Sequence, residues 1–102
     1  MTNKMYQNID DIVTAYFVSK NNLEKAKLSS GEEEFFNPSY LLYRDIELAF
    51  QSLDDDEQLI IRNDYFEKIF PGWWKLAFKQ SEYQSIKKRA IRKFVRSFNE
   101  IH

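Results

Sequence analysis

Five basic side chains near the carboxyl end of the chain recur with the spacing of one helical face. With Ser85 on the same side, they are Lys88, Arg89, Arg92, Lys93 and Arg96. Lys and Arg side chains gathered on one face neutralise phosphate groups and displace the counterions that surround a nucleic acid. The spacing therefore predicts that this face binds an anionic partner.

Residues that could read bases stand at the start of the same stretch. Gln, Ser, Lys and Arg hydrogen-bond base edges when the first turns of a helix enter the major groove. Lys79, just before them, could reach a phosphate, whereas Glu82 would repel one. The complete set of candidate nucleic-acid-binding residues is Lys79, Gln84, Ser85, Lys88, Arg89, Arg92, Lys93 and Arg96.

These residues must be positioned by a helix, which we predict over residues 81–98. Its second face carries apolar residues three and four positions apart, the pattern of an amphipathic helix that lies on a core. They are Tyr83, Ile86, Ala90, Ile91, Phe94, Val95 and Phe98. Ser81 is the expected N-cap, and Gln84 can reach back to complete a capping box.

Lys87 interrupts the apolar face of this helix. A buried charge is costly unless it is paired, and a long Lys side chain can extend its ammonium group to water. We therefore expect Lys87 to extend to solvent, to meet an acid such as Asp64 or Glu67, or to mark a part of the face that the protein leaves uncovered.

The composition is that of one folded, helical domain. The chain has 102 residues, of which 43% are hydrophobic and 30% charged, enough for a modest core. It has two Gly and two Pro, too few for the many turns of a β-sandwich or barrel. We predict an all-α, compact bundle of four to five helices over 1–102, with N-terminal helices in 1–52 and a helix-turn-helix-like half in 53–98.

Charge is divided unevenly along the chain. Residues 1–74 carry 7 Lys and Arg against 14 Asp and Glu, whereas residues 75–102 carry 8 against 2. Such asymmetry favours an anionic partner for the basic segment. The alternative is that the acidic front and the basic end neutralise each other within the fold.

Three helices are predicted upstream from their start signals. The first begins near Asn8 and ends near residue 28, and its apolar stripe serves as a lid on the core or as a partner or dimer surface. Asn37 and Pro38 begin the second, whose apolar residues point in most directions and predict a central helix. Asp54 caps the third, and the acids that follow it favour the helix dipole.

Pro71 and Gly72 interrupt the chain before a short helix that we predict from Trp73 to about Phe78. On so short an element the apolar side chains cannot all face inward, so one Trp should remain partly exposed. Residues 79–81 then connect this helix to the long basic one. A short helix, a tight connection and a long helix form the layout of a helix-turn-helix.

The chain offers little for catalysis or metal binding. It has no Cys, its one His is the terminal His102, and it lacks the motifs of phosphate loops and hydrolases. The acidic run at 32–34 lacks the spacing of a calcium loop. We predict no enzyme activity, no cofactor and no metal. Neither a signal peptide nor a membrane span is indicated, so a cytoplasmic protein that does not bind membranes is expected.

The residues of 53–98 also resemble a known family. The set consists of Leu53, Glu57, Ile60, Ile61, Tyr65, Phe66, Trp73, Trp74, Ser81, Tyr83, Ile86, Lys87, Lys88, Arg89, Ala90, Ile91 and Phe94. This order is similar to sigma-factor region 4 and to phage transcriptional regulators of the autolysin-regulator type. The resemblance implies binding of duplex DNA in transcription, with 74–81 as support and the exposed residues of 84–96 as contact surface. The turn at 78–80 departs from the family pattern, because it lacks a Gly and contains the bulky Phe78.

Two main hypotheses follow. The first is a small DNA-binding transcription regulator or RNA polymerase accessory, in which a homodimer or a larger complex supplies the affinity that one helix lacks. The alternative is a non-enzymatic protein-interaction module whose basic helix docks an acidic partner, such as RNA polymerase. A third is RNA binding by the same face, with Trp73 or Tyr83 stacking on bases.

Overall fold

Four α-helices and two short helical turns make up the structure, a computed structural model that describes residues 8–29 and 38–102. The α-helices are α1 (Ile9–Ser29), α2 (Pro38–Gln51), α3 (Asp55–Ile61) and α4 (Gln80–Ile101). A π-helical turn (Arg62–Phe66) continues α3, and a 3-10 turn (Trp73–Leu76) precedes α4. Side chains of α1 are described as far as Lys25. These ranges contain no strand, and the all-α prediction is confirmed.

The start signals of α1, α2 and α3 act as their residue types predict. The Asn8 Oδ1 atom accepts the Asp11 N–H at 3.0 Å, which satisfies one of the free amides at the start of α1. Pro38 is the first residue of α2, as expected, while Asn37 and the acidic run at 32–34 lie outside the described residues. Asp54 is the N-cap of α3, and its N–H donates to Glu57 Oε1 at 2.8 Å.

The core lies where α4 packs against α2 and α3, with α1 covering α2. The apolar face of α4 packs on the core as predicted: Ala90, Phe94 and Phe98 are fully buried, and its other members are half-buried. Rings from two other elements meet Phe94 edge-on: the centroids of Phe50 and Phe66 lie 6.5 and 6.2 Å from that of Phe94. Because α2 touches both α1 and α4, its predicted central position is confirmed.

The start of α4 differs from the prediction. Ser81 is not the N-cap, because the helix begins at Gln80 and Lys79 occupies the cap position. The Lys79 N–H donates to Glu82 Oε1 at 3.0 Å. Glu82 at the third helical position reaches back to the cap amide, which is the half of a capping box that a carboxylate supplies. The carboxylate of Glu82, which was expected to repel phosphate, therefore caps the start of α4.

The element before α4 is shorter than predicted. Instead of an α-helix as far as Phe78, the chain forms one 3-10 turn over Trp73–Leu76. A β-turn leads into it: the Trp73 N–H donates to the Phe70 carbonyl at 3.3 Å, and Gly72 has φ 80° and ψ 6°, as at the third position of a type II turn. The helix-turn-helix layout is thus reduced to a single turn ahead of α4.

Candidate nucleic-acid interface

Three cations of α4 point to solvent and form a row along the helix. Lys88, Arg92 and Arg96 are exposed, and within the described ranges they make no hydrogen bond or ion pair. They are spaced four residues apart, so their Cα atoms span about 12 Å at 1.5 Å per residue. We call these three residues the free basic row. Lys79, Gln84 and Ser85 of the predicted set are exposed as well.

Arg89 and Lys93 do not belong to this row, which corrects the prediction that all five cations would be free. Arg89 Nε donates to Glu57 Oε2 at 2.8 Å, and Lys93 Nζ donates to Glu57 Oε1 at 3.0 Å. Lys93 Nζ also lies 3.8 Å from a carboxylate oxygen of Asp54. Because Glu57 is fully buried, its charge requires partners, and the basic helix supplies them.

The protonation of Glu57 reflects this arrangement. Burial by itself would raise the pKa of the carboxyl group. Hydrogen bonds from Arg89, from the Asp54 amide and from Lys93 outweigh burial and lower the pKa of Glu57 to about 2. Its bond to Glu57 in turn raises the pKa of Arg89. Glu57 is thus a caged anion that links α3 to α4 near neutral pH.

Sequence reasoning placed Glu57 among the first-turn acids that favour the dipole of α3 and missed both of its contacts. The first is the bond that it accepts from the Asp54 amide, and the second is its pairing with Arg89 and Lys93. The signal for the second contact was the position of Arg89 and Lys93, which lie at the edge of the basic arc beside the apolar face. Side chains at such an edge lean toward the neighbouring helix, so they meet any acid that this helix presents.

A second caged carboxylate supports the first turns of α4. Asp64 accepts Trp73 Nε1–H at 2.8 Å on one oxygen, and on the other it accepts the Tyr83 hydroxyl and meets Lys87 Nζ at 3.0 Å. Burial opposes the charge of Asp64, but these donors win and lower its pKa, while Asp64 raises the pKa of Lys87. Of the three alternatives for Lys87, the pairing with Asp64 is confirmed.

The two Trp residues take different places beside this cluster. Trp73 is buried, so it is not presented for stacking on a base. Trp74 is half-buried and stacks on Tyr83, with ring centroids 4.6 Å apart. The prediction that one Trp stays partly exposed is confirmed, and its ring covers the side of Tyr83.

An acidic edge borders the interface on the side of α3. Asp54, Asp55 and Asp56 are exposed at the start of α3, and the charges of Asp54 and Asp56 contribute to the raised pKa of Arg89. Arg89 remains 54% exposed beside them. An anionic partner is therefore repelled at this edge and attracted along the free basic row.

The remaining features are the terminal His102 and two absences within the described ranges. His102 stacks on Phe98 with centroids 5.0 Å apart and places Nδ1 3.0 Å from Asp45 Oδ2, so the terminal residue is docked. In residues 8–29 and 38–102, no group of three or more potential ligands could hold a metal ion. No helix in these ranges has both the length and the apolar character to cross a bilayer.

Compared with family models, with curated proteins and with solved structures, the chain matched none. The resemblance of residues 53–98 to sigma-factor region 4 and to phage autolysin regulators therefore stays a prediction. The side chains of α4 and their partners are what bear on the function of this chain.

Proposed function

We propose that this protein is a non-enzymatic DNA-binding domain, acting as a transcription regulator or an accessory of RNA polymerase. The observation that carries the proposal is the free basic row, because Lys88, Arg92 and Arg96 are left without internal partners in the described part of the fold. Nearby, Lys87, Arg89 and Lys93 are paired with acids. Some cations of α4 thus stabilise the fold through ion pairs, whereas those of the free basic row remain accessible to a ligand.

The first turns of α4 suit a close approach to a groove. Gln84 and Ser85 are exposed there, and the side chains of both can hydrogen-bond base edges. The free basic row lies farther along the same helix, where it would follow a phosphate backbone. Lys79 stands before the first turn and adds one more phosphate contact.

The corrected interface is smaller than the one predicted from sequence. The free basic row and Lys79 supply four cations, and each contacts about one phosphate. So few contacts give weak binding with low sequence preference for one copy of the domain. A second copy or a larger assembly would supply the remaining affinity, as the homodimer hypothesis expects.

Fluorescence anisotropy with labelled random duplex DNA tests the proposal. Arg92→Glu should weaken binding at low salt by about tenfold or more, because a contact becomes a repulsion. Lys20→Glu is the matched control, since Lys20 is an exposed cation on α1 and the charge change is the same. The proposal fails if no salt-sensitive binding occurs at tens of micromolar protein, or if both variants lose equal affinity.

A second candidate function, docking of an acidic protein partner, has its own observation. Leu76 is 83% exposed and Phe70 58%, although the segment that carries them is anchored by the buried Trp73. Lys75 and Lys79 stand beside this apolar segment. Apolar side chains with a basic border suit a partner that is apolar and acidic.

The two functions separate by mutation. Leu76→Ser should abolish binding to purified RNA polymerase or another acidic partner, whereas duplex DNA binding should remain. Arg92→Glu should have the reverse pattern. A Leu76→Ser protein that retains its partner contradicts the docking function, because no buried contact of the fold depends on so exposed a side chain.

A further inference from the structure

A pocket of about 340 Å³ opens between α1, α2 and the π-helical turn, away from the free basic row. Three aromatic residues, Tyr16, Phe50 and Phe66, line it. Its charged lining residues are Lys20, Glu47, Arg62 and Glu67. The volume lies at the lower end of the range of small-molecule sites, which combine an apolar lining with a few placed polar groups.

The aromatic lining is held in place by the core. The Phe66 ring meets Tyr16 edge-on with centroids 4.8 Å apart, and it meets Phe50 at 6.0 Å. On its other side Phe66 lies 6.2 Å from the fully buried Phe94. A lining held by these contacts is already formed before a ligand arrives, so an aromatic ring packs against it at little cost in ordering.

Within the described ranges, the charged residues around the pocket pair with no opposite charge, although Glu47 forms a hydrogen bond with the Tyr16 hydroxyl. In the described part of the chain, Lys20, Arg62, Glu47 and Glu67 form no ion pair. Arg62 places its guanidinium carbon 5.4 Å from the centroid of Phe50, and Lys20 Nζ lies 6.0 Å from that of Tyr16. The cations thus stand over the rings, while the two carboxylates line the same opening. A ligand with one sign of charge would satisfy only half of this set.

The backbone beside the pocket also has an unusual conformation. The Glu67 N–H donates to the Arg62 carbonyl at 2.7 Å, five residues back, which makes 62–66 a π-helical turn. Such turns are rare and frequently occur at functional sites. Here the turn carries Arg62 and Phe66 at its two ends, and both line the pocket.

We propose that this pocket binds a small aromatic zwitterion, whose ring packs against the aromatic lining while its carboxylate meets Arg62 or Lys20 and its ammonium group meets Glu47 or Glu67. An aromatic amino acid has this chemistry. The site is independent of DNA binding, because it shares no residue with the free basic row.

Isothermal titration with three related probes tests the proposal. L-tryptophan carries both charges, indole-3-propionate lacks the ammonium group, and tryptamine lacks the carboxylate. We expect L-tryptophan to bind about tenfold more tightly than either analogue, since each analogue leaves one charge of the pocket unanswered. Absence of binding by all three at millimolar concentration, or equal binding by all three, would overturn the proposal.

Paired variants assign the charges. Arg62→Gln should weaken L-tryptophan and indole-3-propionate about tenfold and leave tryptamine unchanged, whereas Glu47→Gln should weaken L-tryptophan and tryptamine. Arg92→Gln, on the exposed face of α4, is the control and should change nothing. Should Arg62→Gln fail to fold by circular dichroism, Lys20→Gln replaces it with the same expectation. Loss of affinity in the control, or none in both pocket variants, contradicts the assignment.

Discussion

Glu57 is the residue through which the two halves of the charge pattern meet. It comes from the acidic front of the chain, is fully buried, and holds Arg89 and Lys93 of the basic end. Internal neutralisation, the alternative to an anionic partner, therefore operates at the edge of α4 that faces Glu57, as it also does where Lys87 meets Asp64. The free basic row lies outside its reach, which is why a partner is still proposed.

Replacement of Glu57 by Gln should destabilise the fold by about 1–3 kcal/mol, because two cations lose their buried acceptor. Gln at this position can still cap the Asp54 amide, so the effect isolates the charge. Asp55→Asn is the control, since Asp55 is an exposed acid of the same first turn. Urea unfolding measures both, and equal midpoints for the two variants would show that the buried ion pairs contribute nothing.

Low pH should lower the stability of the fold through protonation of Glu57. The pKa of Glu57 is about 2 in the folded state against an ordinary 4.5, so its contribution is present above pH 4.5 and is lost as the pH falls toward 2. The lowered pKa of Asp64 acts in the same direction. At most about 3 kcal/mol is lost from Glu57 across this window. Urea midpoints between pH 7 and 2 should fall less steeply in Glu57→Gln.

At the scale of elements, α4 depends on the short segment before it. The π-helical turn, the β-turn and the 3-10 turn bring Asp64 and Trp73 beneath Tyr83 and Lys87. These contacts join the end of α3 to the first turns of α4. The exposed first turns therefore rest on a supported base, as a contact surface for a rigid partner requires.

Gly72 is the residue on which this connection depends, because its φ of 80° lies in the left-handed region. Gly72→Ala should lower stability by about 1 kcal/mol. The cost is one of backbone conformation, since an added Cβ would meet its nearest atom, Lys75 Cε, at 3.9 Å. Asn tolerates the left-handed region better than Ala does, so Gly72→Asn should melt at a temperature between those of the parent protein and Gly72→Ala. Thermal melts that rank Asn below Ala would contradict the turn geometry.

At the scale of the whole molecule, cations are distributed between internal pairing and solvent. Lys87, Arg89 and Lys93 bind acids of the preceding elements, while Lys88, Arg92 and Arg96 stay outside. The acidic edge at Asp54, Asp55 and Asp56 limits the surface that an anion can use. The proposed interface is accordingly a narrow line of charge along one helix.

A narrow line of charge predicts a shallow salt dependence. With the free basic row and Lys79 in contact, the logarithm of the DNA association constant should fall with the logarithm of salt with a slope of about −3 to −4. Arg96→Gln should reduce the slope by about 1, whereas Lys93→Gln should leave it unchanged because Lys93 is engaged with Glu57. Anisotropy titrations at salt concentrations from about 50 to 200 mM measure this slope. A slope steeper than this in the parent protein would show that Arg89 and Lys93 leave Glu57 to bind DNA.

Local patterns determined most of the elements. The caps at Asn8 and Asp54, the start of α2 at Pro38 and the apolar face of α4 were predictable because each depends on residues within about one or two turns of one another. Two predictions failed even locally. The N-cap of α4 is Lys79 and not Ser81, and Glu82 bonds back to the amide of that cap. The segment after Gly72 forms a 3-10 turn in place of an α-helix.

The sequence by itself determined that this is a helical protein whose last helix has one apolar and one cationic face, because helical periodicity is written in neighbouring residues. Only the tertiary structure decided which cations are free. That Arg89 and Lys93 bind Glu57 while Arg92 does not depends on the crossing of α3 and α4, which brings together residues 32 and 36 positions apart. The spacing of neighbouring residues cannot predict such contacts, because the packing of the whole core determines them.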